Sequence, residues 1–237
     1  MERSVLPNRI ARSLSLYAAL FILSNPAGAA FVLTLDDPLT SGVDIVLSDD
    51  LLPGSFTDSG LLVSHTDVAG GAGVISFSGA VGAFTVNVTT GISDPLIGPA
   101  RLDLNSIDVS GAAGRLNVSL TDTDFSDSFS GFTVSHGGTT DANVSFDYLY
   151  DSGNGEFSGA VFASDAFNAN GSERGFSFNY ADAIVPDSSY SLSILASIEH
   201  TGAGQVTSFD ATMSPVPVPM SAVLFLSGLF TLHRMRR

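Results

Sequence analysis

Apolar and polar residues alternate along the middle of this chain, in short segments rich in Val, Ile, Phe, Thr and Ser. Turn residues, mainly Gly, Asp, Asn and Ser, separate one segment from the next. Alternation with a period of two predicts a β-strand with one buried face. The segments predicted as strands are 43–47, 74–78, 83–90, 101–109, 115–121, 132–135, 143–150, 157–163, 175–180, 190–199 and 206–213.

Residues 116–122 (LNVSLTD) show the alternation clearly. Leu116 and Val118 share one face of the predicted strand, whereas Asn117 and Thr121 share the other. A face of this polar kind is expected to meet water, as in antiparallel sheets that are packed on one side only.

The fold predicted from this pattern is all-β. No convincing helix occurs between residues 31 and 214, because glycine and β-branched residues interrupt every candidate. We predict a single domain over residues 30–213, built as a β-sandwich, with a jelly roll as one form of it. A solenoid is disfavoured because no strict repeat is visible.

The first 29 residues have the parts of a secretory signal peptide. Arginines precede an apolar stretch over residues 14–23, and Ala27 and Ala29 form an A-x-A cleavage site. We predict cleavage by signal peptidase after Ala29 or Ala30. A permanent anchor is the alternative, but the apolar stretch is short beside the ~20 residues of a spanning helix.

The last residues, 214–237, combine three features in a fixed order. A Pro-x-Pro element precedes an uncharged apolar run over residues 220–232, which is short for a spanning helix, and a basic cluster closes the chain. The element consists of Pro217, Val218 and Pro219, and the cluster consists of Arg234, Arg236 and Arg237.

This order resembles the PEP-CTERM sorting signal, a tail type that has also been labelled as an ice-binding protein C-terminal region. Val218 stands where the motif's usual glutamate would be. The resemblance implies a short transmembrane helix that holds the chain transiently in the inner membrane, and cleavage by an exosortase. It also implies delivery to the cell surface or extracellular matrix of an exopolysaccharide-producing Gram-negative bacterium. A plain C-terminal anchor is the alternative.

The charge of the chain is strongly negative, with a formal net charge of −15. Between the two terminal regions, the chain has no lysine, and its only arginines are Arg101, Arg115 and Arg174. Nucleic acid is therefore excluded as a partner, since it requires clustered cations. The chain has no cysteine, which removes disulfides, thiol catalysis and thiolate metal sites.

Calcium is the only cofactor that the sequence suggests. Asp122, Asp124 and Asp127 lie within one short acidic segment, and the turn at residues 151–156 is also rich in oxygen ligands. The spacing does not match an EF-hand. A solvated turn made of Asp, Asn, Ser and Gly is the alternative interpretation at both places.

No catalytic motif is evident. His65, His136 and His200 occur singly, and neither HExxH nor a G-x-S-x-G elbow is present. We therefore predict a non-enzymatic protein with a structural or adhesive role, sorted to the surface or matrix, with exopolysaccharide as a partner.

A carbohydrate-binding module or a polysaccharide hydrolase is the alternative function. Sugar rings commonly stack on tryptophan, which is absent here. Alternating aromatic residues could serve instead, although such residues more often belong to a core. They are Tyr148, Tyr150, Phe176, Phe178 and Tyr180.

Overall fold

The computed structural model describes residues 31–40, 42–49, 57–58, 73–93, 100–126, 129–184, 186 and 189–216. The predicted signal peptide, with Ala27 and Ala29, lies outside these residues. So do Asp127 and the predicted sorting residues Pro217, Val218, Pro219, Arg234, Arg236 and Arg237. In the part of the chain that is described, no helix is long and apolar enough to span a bilayer.

The described residues form an all-β structure, as the sequence predicts. The strands are β1 (Val32–Asp36), β2 (Ile45–Ser48), β3 (Thr57–Asp58), β4 (Val74–Val81), β5 (Phe84–Ser93), β6 (Leu102–Gly111), β7 (Gly114–Phe125), β8 (Phe132–Thr140), β9 (Asn143–Asp151), β10 (Ala160–Asn168), β11 (Arg174–Asp182), β12 (Tyr190–His200) and β13 (Gln205–Pro215).

Every strand predicted from the alternation pattern coincides with an observed strand, although β1 and β3 were missed. The predicted strand at 157–163 begins late, at Ala160. Phe157 and Gly159 have positive φ angles of 47° and 101°, so the backbone is still turning there. The two residues therefore belong to the connection before β10.

The strands are arranged in two antiparallel sheets. Sheet A has the order β10-β9-β12-β7-β1-β2-β3, and sheet B has the order β11-β8-β13-β6-β5-β4. Strands β6 to β13 supply four strands to each sheet, and the chain changes sheet at each connection among them except the β9–β10 hairpin. This is the strand order of a jelly roll. The hairpin β4–β5 extends sheet B, and β1 to β3 extend sheet A.

The core lies between the sheets and is made of the inward-facing residue of each alternating pair. Leu116 and Val118 are fully buried there, as predicted, and so are Phe132 and Phe209 on sheet B. Each such side chain contributes about 1.5–3 kcal/mol through removal of apolar surface from water. The alternation seen in the sequence thus sets which face of each strand is buried.

Thr121 departs from its predicted exposure and is completely buried, although it lies on the outer face of sheet A. Its hydroxyl donates to the carbonyl of Leu192 at 3.0 Å and pairs with that of Ser193 at 2.8 Å. The backbone N–H of Phe157 donates to the same hydroxyl at 3.3 Å. The connection between β9 and β10 therefore covers this end of the outer face.

The two ends of the sandwich differ in what they hold. At one end, β1 begins at Val32 beside Thr121, and β13 finishes at Pro215 beside Phe132. We call this the terminal end, because the described chain both starts and stops there. At the opposite end, β12 finishes at His200 and the loops before β7, β9, β11 and β13 come together. We call this the loop end.

Candidate functional site

A groove of about 280 Å³ lies on the outer face of sheet A, close to the loop end. It crosses the four strands β7, β12, β9 and β10, which span about 14 Å at the usual ~4.8 Å spacing. Its lining residues are Arg115, Asn143, Val144, Ser145, Ala166, Phe167, Asn168, Ser197 and Glu199.

The polar residues of the groove form two rows that follow the strand register. In the outer row, Glu199 is paired with Arg115 on one side and with Asn143 on the other, and Asn143 is paired with Asn168. In the next row, Ser197 is paired with Asn117 on β7 and with Ser145 on β9, and these side chains continue the polar surface. Side chains from four strands therefore converge on one space.

Glu199 holds the outer row together. Its carboxylate lies 3.6 Å from the Arg115 guanidinium and accepts a hydrogen bond from Asn143 Nδ2 at 3.2 Å. The side chains of Arg115 and Glu199 are 53 % and 47 % exposed, so water screens their attraction and the pair adds little stability. Both groups therefore remain accessible to a ligand.

The groove is not evident from the sequence, because its residues are far apart in the chain. Arg115 and Glu199 become neighbours only through the β7–β12 register. The one signal within the sequence was that Asn143, Ser145, Ser197 and Glu199 occupy the polar phase of their strands. That phase predicts exposure and gives no information about which strands are adjacent.

The two acidic segments considered for calcium meet at the terminal end. The backbone N–H of Asp124 donates to Asn154 Oδ1 at 2.7 Å, and Asn154 Nδ2 donates to Asp124 Oδ1 at 2.6 Å. Both residues have positive φ, a conformation that Asp and Asn adopt more readily than most residues. The reciprocal pair joins the end of β7 to the turn after β9.

The carboxylates near this junction accept hydrogen bonds from the backbone. Asp122 is buried and its Oδ1 accepts from the N–H of Thr123 at 2.7 Å. Asp151 accepts from Gly153 and Gly155 at 2.8 and 2.9 Å, and these donors lower the pKa of Asp151. Among the described residues, no group of three His, Cys, Asp or Glu is placed to hold a metal. Calcium binding stays a prediction.

His136 lies buried between the sheets in a cluster of aromatic rings. Its ring stacks on Phe146 at 3.9 Å and on Phe178 at 5.1 Å. Nδ1 lies 3.0 Å from the Tyr148 hydroxyl, and Nε2 lies 3.1 Å from Asp165 Oδ2. These contacts form a polar chain from the core to a carboxylate that is 34 % exposed.

Four of the five aromatic residues that the sequence offers for sugar stacking belong to this interior. Tyr148 is completely buried, and Tyr150, Phe176 and Phe178 pack against the core. Tyr180 keeps 37 % of its surface exposed while its ring contacts Phe162 at 5.6 Å. The first four therefore have a packing role, as alternating aromatic residues on strands usually do.

The second buried histidine, His200, lies at the loop end beneath the groove. Its Nε2 is 3.4 Å from the Thr207 hydroxyl, which pairs with that of Thr140 at 2.8 Å. Its Nδ1 has no hydrogen-bond partner among the described residues, and its ring meets the edge of Phe84. A neutral ring suits this site, because a protonated Nδ1 would bury an unsatisfied donor.

We expect the free energy of unfolding to fall as the pH is lowered below about 6.5, the usual histidine pKa. Burial lowers the pKa of His136 and of His200, and the nearby Asp165 and Asp141 only partly oppose this. The unfolded chain therefore binds protons that the folded chain does not, and stability decreases. Urea unfolding at pH 7.5, 6.5 and 5.5 measures the effect.

A His136→Gln variant is expected to show a shallower decline over the same pH range, whatever its stability at pH 7.5. Model carboxyl groups in peptides have a pKa near 4, below this window. A stability that is constant or rises toward pH 5.5 would contradict the prediction.

No family model and no curated protein matches this chain. Among solved structures, similarity is found to the enzymatically active domain of bacteriophage CBA120 tailspike protein 4, with 15 % identity and a TM-score of 0.33. It covers 60 % of this chain and 19 % of that chain. An isomalto-dextranase of Arthrobacter globiformis T6, complexed with panose, gives 12 % identity, a TM-score of 0.27 and coverages of 76 % and 29 %.

This chain therefore spans less than a third of the length of either structure. Both TM-scores are too low for the similarities to support a conclusion about its activity.

Proposed function

We propose that this chain is a non-enzymatic exported protein, sorted by an exosortase-type system to the cell surface or exopolysaccharide matrix of a Gram-negative bacterium. The observation that carries the proposal is the order of features at the C-terminus. A Pro-x-Pro element, an uncharged apolar run and an arginine cluster follow one another over residues 217–237. The body has a structural or adhesive role there.

The route of the chain through the fold is compatible with processing of both termini. Val216 continues the register of β13, since its N–H donates to the Gly131 carbonyl at 2.7 Å. The Pro-x-Pro element begins at the next residue, directly after the folded body. Since Phe31 and Val216 both lie at the terminal end, cleavage at either terminus leaves the loop end of the sandwich untouched.

The groove favours binding over catalysis as the property of the body. Glycoside hydrolysis generally needs two carboxyl groups on either side of the scissile bond. Among the described residues that line the groove, Glu199 is the one carboxylate, and its partners are Arg115 and Asn143. Of the alternatives, a carbohydrate-binding module is therefore favoured over a polysaccharide hydrolase.

Replacement of both Pro217 and Pro219 by alanine is expected to block removal of the tail. Alanine frees φ and restores backbone N–H donors, so the extended segment offered to the protease is lost. Intact-mass and terminal-peptide analysis of membrane, surface and medium fractions measures the result. The unaltered protein should begin near Ala30 and end near Pro219, whereas the variant should keep Arg237 in the membrane fraction.

Pro215→Ala is the matched control, because it alters a proline at the end of β13 and outside the sorting element. Its processing should equal that of the unaltered protein. If the unaltered protein itself retains Arg237 in the membrane, the tail is a plain anchor and the sorting proposal fails.

A further inference from the structure

We propose that the groove on sheet A binds one or two rings of a neutral saccharide chain. This inference deepens the proposed function, because it gives the adhesive body a ligand class and a binding site. It is carried by the convergence of Arg115, Asn143, Asn168 and Glu199 from four strands on one open space.

The hydrogen-bonding groups of the groove match those of a sugar. A hydroxyl both donates and accepts, so a ring with several hydroxyls needs donors and acceptors at short intervals. Arg115 supplies donors only, Glu199 supplies acceptors only, and the amides of Asn143 and Asn168 supply both. Ser145 and Ser197 add hydroxyls that can serve in either sense.

The charge of the groove indicates that the ligand is neutral. Arg115 and Glu199 offset each other at 3.6 Å, and the chain as a whole is strongly acidic. A uronate or sulfate group would meet a repulsive field and only one guanidinium, which is already paired. A ligand whose polar groups are all hydroxyls carries no charge, so this field does not repel it.

The size and shape of the groove suit part of a longer chain. At about 280 Å³ it lies near the lower bound of ordinary small-molecule sites, which start at about 300 Å³. Ala166 contributes an apolar methyl group to the lining, of the kind that C–H groups of a sugar ring contact. The Phe167 ring points the other way and stacks on Phe176 between the sheets.

The position of the groove keeps it accessible in the proposed anchored state. It lies near the loop end, while the tail leaves from the terminal end. The eleven residues of β13 separate the two ends by roughly 33 Å. A saccharide chain outside the membrane can therefore reach the groove before or after the tail is removed.

The test is calorimetric titration of the full-length chain in detergent micelles with tetrasaccharides. The panel contains gluco-, manno- and galacto-oligosaccharides as neutral probes and alginate oligomers as the acidic probe. We expect saturable binding of at least one neutral probe that changes little between 50 mM and 500 mM salt. Asn143→Ala and Glu199→Gln should each weaken it about tenfold or more, as loss of a hydrogen bond to a charged or amide group predicts.

Asn179→Ala is the matched control, because Asn179 is an exposed amide on β11 of the opposite sheet, and it should bind as the unaltered chain does. Circular dichroism and urea unfolding of every variant separate lost binding from lost folding. The inference is overturned if no neutral probe binds, if folded Asn143→Ala and Glu199→Gln bind normally, or if only alginate binds and high salt abolishes it. Because the titrated chain keeps its tail, the result is independent of whether an exosortase cleaves it.

Discussion

Replacing Phe132 by alanine is expected to lower the free energy of unfolding by about 3–5 kcal/mol, the usual cost of deleting a buried phenylalanine ring. Phe132 is completely buried on β8, and its ring contacts four others between the sheets. These rings are Phe129, Tyr150, Phe162 and Tyr190. A small domain has only about 5–15 kcal/mol of total stability, so this one change removes a large part of it.

Urea unfolding followed by fluorescence or circular dichroism gives the free energy for each variant. Phe132→Leu fills most of the same space and should cost clearly less than Phe132→Ala. A loss below about 1 kcal/mol for the alanine variant would mean that the surrounding rings can collapse into the cavity. The aromatic cluster would then be loosely packed, contrary to the structure.

Gly138→Ala is the second change with a large expected effect, about 3 kcal/mol or more, because it overfills a closed site. Gly138 lies on β8 opposite Phe209 of β13. A methyl group added there would meet the Ser208 carbonyl oxygen at 2.0 Å and the Cα of Phe209 at 2.8 Å. Because both obstacles are backbone atoms, the two strands must separate for the side chain to fit.

Gly175→Ala provides the matched comparison. Gly175 is on β11, which pairs with the same strand β8, and the nearest atom to an added methyl is the Gly138 carbonyl oxygen at 3.8 Å. Alanine in this open site should be neutral or slightly stabilising, since it restricts the unfolded chain. Equal unfolding free energies for the two variants would contradict the close approach of β8 and β13.

The sequence predicts the strands well because each strand is a local pattern. In residues 116–122 the alternation alone separates buried from polar positions, and the packed structure reproduces it at Leu116 and Val118. Thr121 shows where the pattern stops being sufficient. Its burial depends on a connection thirty-six residues further along the chain, at Phe157, which a local pattern does not contain.

The candidate groove and the buried histidines depend on pairing between distant strands. Glu199 meets Arg115 and Asn143 only because β12 lies between β7 and β9. His136, which occurs singly in the sequence, is buried among aromatic rings. The available signal was that His136 keeps the inward phase of Phe132 and Val134 along β8.

The sorting residues present the opposite case. The order of Pro217, Pro219 and the terminal arginines can be read directly from the sequence, because it needs no tertiary contacts to be recognised. The described residues end at Val216, so the sorting interpretation depends on the sequence alone. Processing experiments and binding experiments therefore test separate parts of the protein.

The path of β13 determines how this body would carry a mechanical load. β13 lies in the interior of sheet B, hydrogen-bonded to β8 on one side and β6 on the other, and its last residue is where the tail departs. A pull between the tail and a saccharide held near the loop end acts along the strand axes. Because antiparallel ladder bonds run perpendicular to the strands, such a pull shears many of them at once and does not open them one by one. In the anchored state, before the tail is removed, a body pulled in this way would resist unfolding.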